Sequence, residues 1–272
     1  VSAVRTTAKR ALALMTTLDR RAPMGATLLT YHRVGGGTSD ELDLPPGQLS
    51  DQLELLESKG PVVLSLDGAL DRLDGGDPTP SVVLTFDDGF ADVYTQAWPL
   101  LRQRQLPFTV YVAAGLIGGQ MRWEGSGADS QGAPALTWDQ LSEMHASGLC
   151  TVGNHTWDHA GPDHVDVEQV DRCSDEIERR LGARPTHFAW TWGIPAPSLD
   201  DAVRARFRSV ATGVVGRNGC AQDRWALRRV PVRRSDPPEF FRAKLRGALV
   251  AERTYGSLVR AAKAIRRPVD RS

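Results

Sequence analysis

The chain of 272 residues is poor in several things, and each shortage closes off a class of protein. It has three cysteines, Cys150, Cys173 and Cys220, with no CxxC pair among them, so neither a disulfide framework nor a cysteine zinc knuckle is expected. No apolar run approaches membrane-spanning length, and Ala11-Leu12-Ala13-Leu14-Met15 is too short for the core of a secretion signal. The expected location is therefore cytoplasmic or peripheral at the inner membrane surface. The formal net charge is zero, against the basic domain a dedicated nucleic-acid binder carries, so no nucleic-acid partner is expected. Only four of the 33 basic residues are lysine, a bias that marks no site because arginine is spread along the whole chain.

Neutrality overall hides basic ends. Residues 1–22 carry Arg5, Lys9, Arg10, Arg20 and Arg21 against Asp19, and residues 240–272 carry nine Lys/Arg against Glu252 and Asp270. Solvated helix faces account for such ends, and so does peripheral contact with an anionic membrane surface or a phosphorylated carrier. Three parts follow: a basic helical extension over 1–24, a central domain over 25–236, and a basic helical segment over 237–272.

The central part alternates short β-branched runs with amphipathic helical patterns. Strands are expected at 27–31, 81–86, 108–113, 149–152, 187–190, 209–215 and 227–232. Helices are expected at 49–58, from about 90 to 103, from a Thr137/Gln140 capping box to Gly148, and over 167–181. About seven parallel strands interleaved with helices make an α/β fold, an irregular (β/α) barrel, whose working residues belong where strands end and loops begin.

Two runs carry chemistry. Thr85-Phe86-Asp87-Asp88-Gly89 follows the apolar Val82-Val83-Leu84, and Gly89 permits a turn that brings both acids to the barrel mouth. One acid can hold a cation while the other stays free as a base, although paired acids also suit a helix start. His155-Thr156-Trp157-Asp158-His159 follows the strand ending at Gly153. Two histidines four apart on one face of a helical turn can reach one metal. A carboxylate and two imidazoles leave positions open for water and a substrate oxygen.

In this order and spacing, TFDDG and HTWDH resemble the first two motifs of the polysaccharide deacetylase family, carbohydrate esterase family 4. Leu136-Thr137-Trp138-Asp139-Gln140-Leu141 resembles the approach to the second, and the resemblance spans roughly residues 25–235. It implies Asp87 as general base, Asp88, His155 and His159 as ligands of Zn2+ or another divalent metal, and Thr156 as the hydroxyl bracing the metal loop. Most relatives place the acid histidine late in the domain, but no histidine follows His187 here. Tyr31-His32-Arg33-Val34 instead resembles the motif-permuted poly-N-acetylglucosamine deacetylase branch, which implies His32 as general acid. Phe188-Ala189-Trp190-Thr191-Trp192-Gly193 resembles that branch's third motif with Trp190 and Thr191 replacing Tyr and Pro. This implies an oxyanion N–H near Trp190, with Trp190 and Trp192 available to stack on a sugar. Leu227-Arg228-Arg229-Val230 resembles a further strand of the branch, with Arg229 placed to orient Asp87 and Arg228 at the surface.

The implied reaction is removal of an N-acetyl group from an N-acetylhexosamine unit of a glycan or glycan precursor. The alternatives are an O-deacetylase or other C–N amidase on the same fold, and a catalytically silent carbohydrate-binding protein. The Gly115–Pro134 stretch, with Trp123 and Glu124, is either a rim loop that reads substrate or a disordered insertion. His145 and His164 are given no role, and Asp200 and Asp201 read as helix-start residues.

Overall fold

The computed structural model describes residues 2–15, 24–126, 132–247 and 249–257. These residues divide into two compact units, one within 24–234 and one drawn from 1–23 together with 235–272.

The larger unit is a closed barrel of seven parallel strands: β1 (Ala26–Tyr31), β2 (Ser81–Phe86), β3 (Phe108–Val112), β4 (Cys150–Asn154), β5 (His187–Ala189), β6 (Ser209–Val215) and β7 (Leu227–Pro231). They pair in chain order, and β1 closes the ring by pairing with both β2 and β7. Every residue of β1, β2 and β3 is buried, as expected of parallel strands covered on both faces, which is why they read as continuous apolar runs. Leu28, Val83, Tyr111, Ala189, Ala211 and Leu227 share one core cluster with Leu66, Ala69, Leu70 and Leu73 of the helix Leu66–Asp74.

Registers set the height of the mouth. Tyr31 lies opposite Phe86, and the Asp87 N–H donates to the Tyr31 carbonyl at 3.0 Å, so His32 and Asp87 leave adjacent strands at one level. Leu28 lies opposite Arg229 on the other side of β1. The sequence of β1 thus sits between the strands that carry Asp87 and Arg229.

Helix ends follow local chemistry. The Thr137–Gln140 capping box forms as read and opens Trp138–Ala146. Asp166 caps Val167–Leu181, which stops at Gly182 in the left-handed region. The helix read at 49–58 spans Pro46–Lys59, because prolines fit the first turn, where no N–H is needed. The helix read from about 90 divides into a wide π turn at Val93–Ala97 and an α-helix at Trp98–Gln103. Pro99 has no N–H to continue the α ladder onto Thr95. Asp200 and Asp201 open the helix Asp200–Arg206.

In the smaller unit the helix Ser2–Met15 packs with Pro238–Leu245, and Ala13, Phe240, Ala251 and Tyr255 form its core. Lys9 and Lys244 are buried there, donating to the two oxygens of Asp236 at 2.6 and 2.5 Å. Lys244 also lies 3.0 Å from Glu252. Two ammonium groups face two carboxylates, so two of the basic charges counted at the chain ends are neutralised inside the unit. Among the described residues no helix is long and apolar enough to cross a membrane.

Candidate metal and catalytic site

The two acids after β2 point differently because the backbone turns between them. Asp88 itself has φ of +75°, and Gly89 follows at +97°. A strand continued straight would send adjacent side chains to opposite faces; the left-handed residue breaks that alternation. The turn read at Gly89 therefore begins one residue earlier. It is held by Gly89 N–H to Asp87 carbonyl at 3.0 Å and by Leu136 N–H to Gly89 carbonyl at 2.8 Å.

Asp88 Oδ1 lies 3.4 Å from His155 Nε2 and 3.3 Å from His159 Nε2, all three residues being buried. One ligand atom from each falls within 4.8 Å of the others. Burial pushes the Asp88 carboxyl up, but the imidazoles of His155 and His159, with a further contribution from His32, outweigh it and hold it well below the usual carboxylate range. The His155 Nδ1–H donates to the Ala189 carbonyl at 2.7 Å, which turns the Nε2 edge toward Asp88. His159 Nδ1 is buried with no hydrogen-bond partner, and its ring is set by packing: Trp123 at 4.3 Å between centroids, His155 at 5.1 Å and Trp192 at 5.5 Å. Two imidazoles and a carboxylate, with one imidazole oriented by a backbone carbonyl, fit a borderline divalent cation such as zinc.

The segment 155–159 is not a helical turn. Thr156 and His159 have φ of +67° and +60°, conformations a right-handed helix excludes. The loop is pinned from two sides. Gly115 N–H donates to the Trp157 carbonyl at 2.7 Å, and Gln169 Oε1 accepts from the N–H groups of Trp157 and Asp158 at 3.2 and 3.3 Å. Histidines four apart converge here through a left-handed loop, a possibility spacing alone does not separate from a helix.

Asp87 stays apart from the donor set. Arg229 Nη1 donates to both its oxygens at 2.8 and 2.6 Å, while Arg229 Nε donates to the Thr212 carbonyl at 2.9 Å. Arg228 is exposed, as the alternation along β7 requires. His32 is half-buried at the end of β1, with Nδ1 buried and without a hydrogen-bond partner. Its neighbour Arg33 donates to Asp92 at 2.8 Å, and Asp92 also accepts from the Val34 N–H at 3.0 Å. This ties the end of β1 to the segment after Asp88.

Trp190 and Thr156 depart from expectation. Trp190 is 2% exposed, packs edge-on against Phe188, and gives its N–H to the Ala211 carbonyl at 3.0 Å, so it offers neither a stacking face nor an oxyanion donor. Trp192 has the opposite fate: φ of +59° turns it out of the core, and it is 47% exposed. The Thr156 hydroxyl makes no hydrogen bond; the bracing side chain is Asn154, whose Oδ1 accepts from the Thr156 N–H and whose Nδ2 donates to the Val170 carbonyl and Ser174 Oγ, all at 2.8 Å. A polar residue at the end of an apolar strand, directly before the histidines, was the available signal. Thr191, where the resemblance leads to proline, donates its hydroxyl to the Ala160 carbonyl at 2.6 Å and so ties the loop after β5 to the histidine loop.

The described part of the Gly115–Pro134 stretch forms a rim. Gln120–Met121 pairs antiparallel with Ala133–Pro134, Trp123 lies against His159 and Phe90, and Glu124 is exposed; residues 127–131 lie outside the described residues. His145 Nδ1 meets the Cys150 carbonyl on the barrel's outside. His187 Nδ1 meets Ser209 Oγ at the opposite end, where both strands begin. His164 sits exposed in a loop.

Fold and site together define a (β/α)7 barrel with a donor set that could hold a metal ion at the carboxyl ends of its strands. Residues 74–210, about half of the chain, match the polysaccharide deacetylase family profile, and the chain belongs to that family. The structure of IcaB from Ammonifex degensii is similar at 30% identity over 84% of this chain and 97% of that one, with a TM-score of 0.69. The poly-beta-1,6-N-acetyl-D-glucosamine N-deacetylase of Escherichia coli K12 is 30% identical over 146 residues, 49% of this chain and 21% of that protein. The chain thus matches about a fifth of the length of that curated relative. The deacetylase PplD of Streptococcus pyogenes shares the fold at 21% identity, with a TM-score of 0.68.

Proposed function

We propose that the chain is a metal-dependent hydrolase that removes the N-acetyl group from an N-acetylhexosamine unit of a glycan or glycan precursor. One observation carries the reading: a buried Asp88–His155–His159 donor set lies beside a second carboxylate, Asp87, that is held by Arg229 and kept out of the set. Family membership and the names of the similar proteins favour an acetamide on a sugar over other substrates.

A divalent ion held by Asp88, His155 and His159, zinc by the chemistry of the donors, would polarise an amide carbonyl and acidify water. Asp87 takes the proton of the attacking water, with both its oxygens fixed by Arg229. His32, leaving β1 at the level of Asp87, holds the proton that the departing amine requires. Two acid–base groups thus leave adjacent strands at one level of the barrel mouth. The basic ends support peripheral contact with an anionic membrane surface or carrier, although Lys9 and Lys244 are spent on Asp236. Sedimentation with anionic vesicles at low and high salt checks this; equal binding to neutral vesicles discards it.

The defining assay follows acetate and free amine together from N-acetylglucosamine oligomers and from acetylated xylan. Acetate with a stoichiometric new amine from the first supports N-deacetylation. Acetate only from the xylan makes the chain an O-deacetylase, and carbohydrate binding without acetate from either makes it catalytically silent.

A further inference from the structure

The ring of His32 is not held through its buried Nδ1, which has no hydrogen-bond partner, so its place is set by the backbone on either side. On one side the Tyr31 carbonyl accepts from the Asp87 N–H at 3.0 Å. On the other, Asp92 accepts from the Val34 N–H with Oδ1 at 3.0 Å and from Arg33 Nε with Oδ2 at 2.8 Å. Both anchors belong to residues 87–92, the segment that also supplies the proposed base, Asp87, and the ligand Asp88. The grip of Asp92 is stiffened around Arg33. The two side chains are 8% and 11% exposed, and the guanidinium lies 4.9 Å from the centre of the Phe90 ring. The backbone at Gly36 comes so near that a Cβ there would fall 2.2 Å from Arg33 Nη2. Buried Asp43 fixes that backbone, accepting from the N–H groups of Gly36 and Thr38 at 2.8 and 2.7 Å.

A charge-assisted bond with so little water around it is strong and well directed. A buried ion pair nevertheless adds little net stability over an apolar pair of the same shape, so what this one contributes is geometry. We propose that Asp92 is a positioning residue for the general acid: through Arg33 and the Val34 N–H it fixes where His32 stands, so that base, metal ligand and acid all take their spacing from residues 87–92. The inference rests on the reading of His32 as the acid. Breaking the pair moves the acid without touching Asp87 or the donor set, and the loss falls on the step that protonates the departing amine.

The test compares an N-acetylglucosamine oligomer with a nitrophenyl acetate ester, whose leaving group needs no proton. Asp92→Ala and Arg33→Met are expected to lower kcat on the oligomer by about 10–100-fold, with KM and metal content little changed and the ester affected far less. Arg33→Lys, which keeps a cation beside Asp92, should recover most of the loss. In a His32→Ala background Asp92→Ala should cost the oligomer nothing further, because it acts through a group already gone. A second full loss on top of His32→Ala, or equal losses on oligomer and ester, overturns the positioning role. A second measurement needs no turnover. In metal-free protein the NMR signal of the His32 ring, identified by its absence in His32→Ala, should be single and sharp. Asp92→Asn keeps the shape but turns a donor on Arg33, and should broaden or double that signal; an unchanged signal overturns the proposal. Should His32→Ala itself slow both substrates equally, the acid reading fails, and the signal alone decides whether Asp92 places the ring.

Discussion

Asn154 offers the sharpest test of how the metal loop is held. Its side chain makes three buried hydrogen bonds of 2.8 Å, to the Thr156 N–H, the Val170 carbonyl and Ser174 Oγ, and the residue is fully buried. At about 1 kcal/mol net for each bond, Asn154→Ala should cost about 3 kcal/mol of stability. The more telling loss is local. The Thr156 N–H would be orphaned beside a left-handed φ, and the loop carrying both histidines would lose the tie to the helix Val167–Leu181. Removing outer partners of a metal site commonly weakens binding by about 10–100-fold, and that range is expected here. Thr156→Val removes only a hydroxyl that bonds to nothing and keeps the shape, so it should leave stability within about 0.5 kcal/mol. Competition with a chromophoric chelator reads affinity, and urea unfolding in excess chelator reads the metal-free stability. Wild-type affinity in Asn154→Ala, or an equal loss in Thr156→Val, would refute the assignment of the brace to Asn154.

Asp87→Asn should keep its metal by elemental analysis while kcat falls about 10²–10⁴-fold, and retained turnover would remove Asp87 from the base role. His32→Ala should slow an acetamide far more than an activated ester whose leaving group needs no proton; equal losses would remove His32 as the acid. Arg229→Met should lower kcat with metal content unchanged, since Arg229 touches Asp87 and not the donor set. In the terminal unit, burial pushes the Asp236 carboxyl up, but Lys244 and Lys9 outweigh that and set it below its ordinary value. A depressed carboxyl stabilises above its unfolded pKa of about 3.9, and the contribution is lost as pH falls through the lower folded value. Lys244→Met should therefore cost that unit about 3–5 kcal/mol and move its acid unfolding to higher pH, as followed by amide exchange of residues 238–245.

The barrel was legible because its strands are buried on both faces, and β-branched runs such as Ser81–Phe86 leave no amphipathic ambiguity. The clustering of the acids with the histidines was legible because each half is contiguous: Asp87 and Asp88 are neighbours, and His155 and His159 share one loop. What escaped was backbone conformation. Trp190 and Trp192 look alike in a strand-end motif, and only the left-handed turn at Trp192 decides that one is core and the other surface. Asn154 escaped for the same reason, since its work is to hold the conformation of Thr156 rather than to touch any ligand. The terminal network escaped because Lys9 and Asp236 stand 227 residues apart, and nothing in a basic helix marks one lysine as buried.

Among the described residues five that are not glycine have positive φ, and four of them, Asp88, Thr156, His159 and Trp192, surround the same mouth. At roughly 1 kcal/mol each, that is about 4 kcal/mol of conformational cost gathered in one place. It is offset by long-range bonds that need no metal: Asn154 to the helix Val167–Leu181, Gln169 to the N–H groups of Trp157 and Asp158, and Gly115 to the Trp157 carbonyl. Two elements outside the loop, the helix Val167–Leu181 and the segment at Gly115, therefore agree on one loop geometry before any ion arrives. A helical turn at 155–159 would have made one backbone bond of its own, and it would have left the histidines free to follow that turn wherever it packed. The left-handed loop cannot relax alone. Its cost is what couples the two imidazoles to β3, to the helix Val167–Leu181 and, through Ala189, to β5. The donor geometry thereby becomes a property of the whole barrel mouth rather than of five residues.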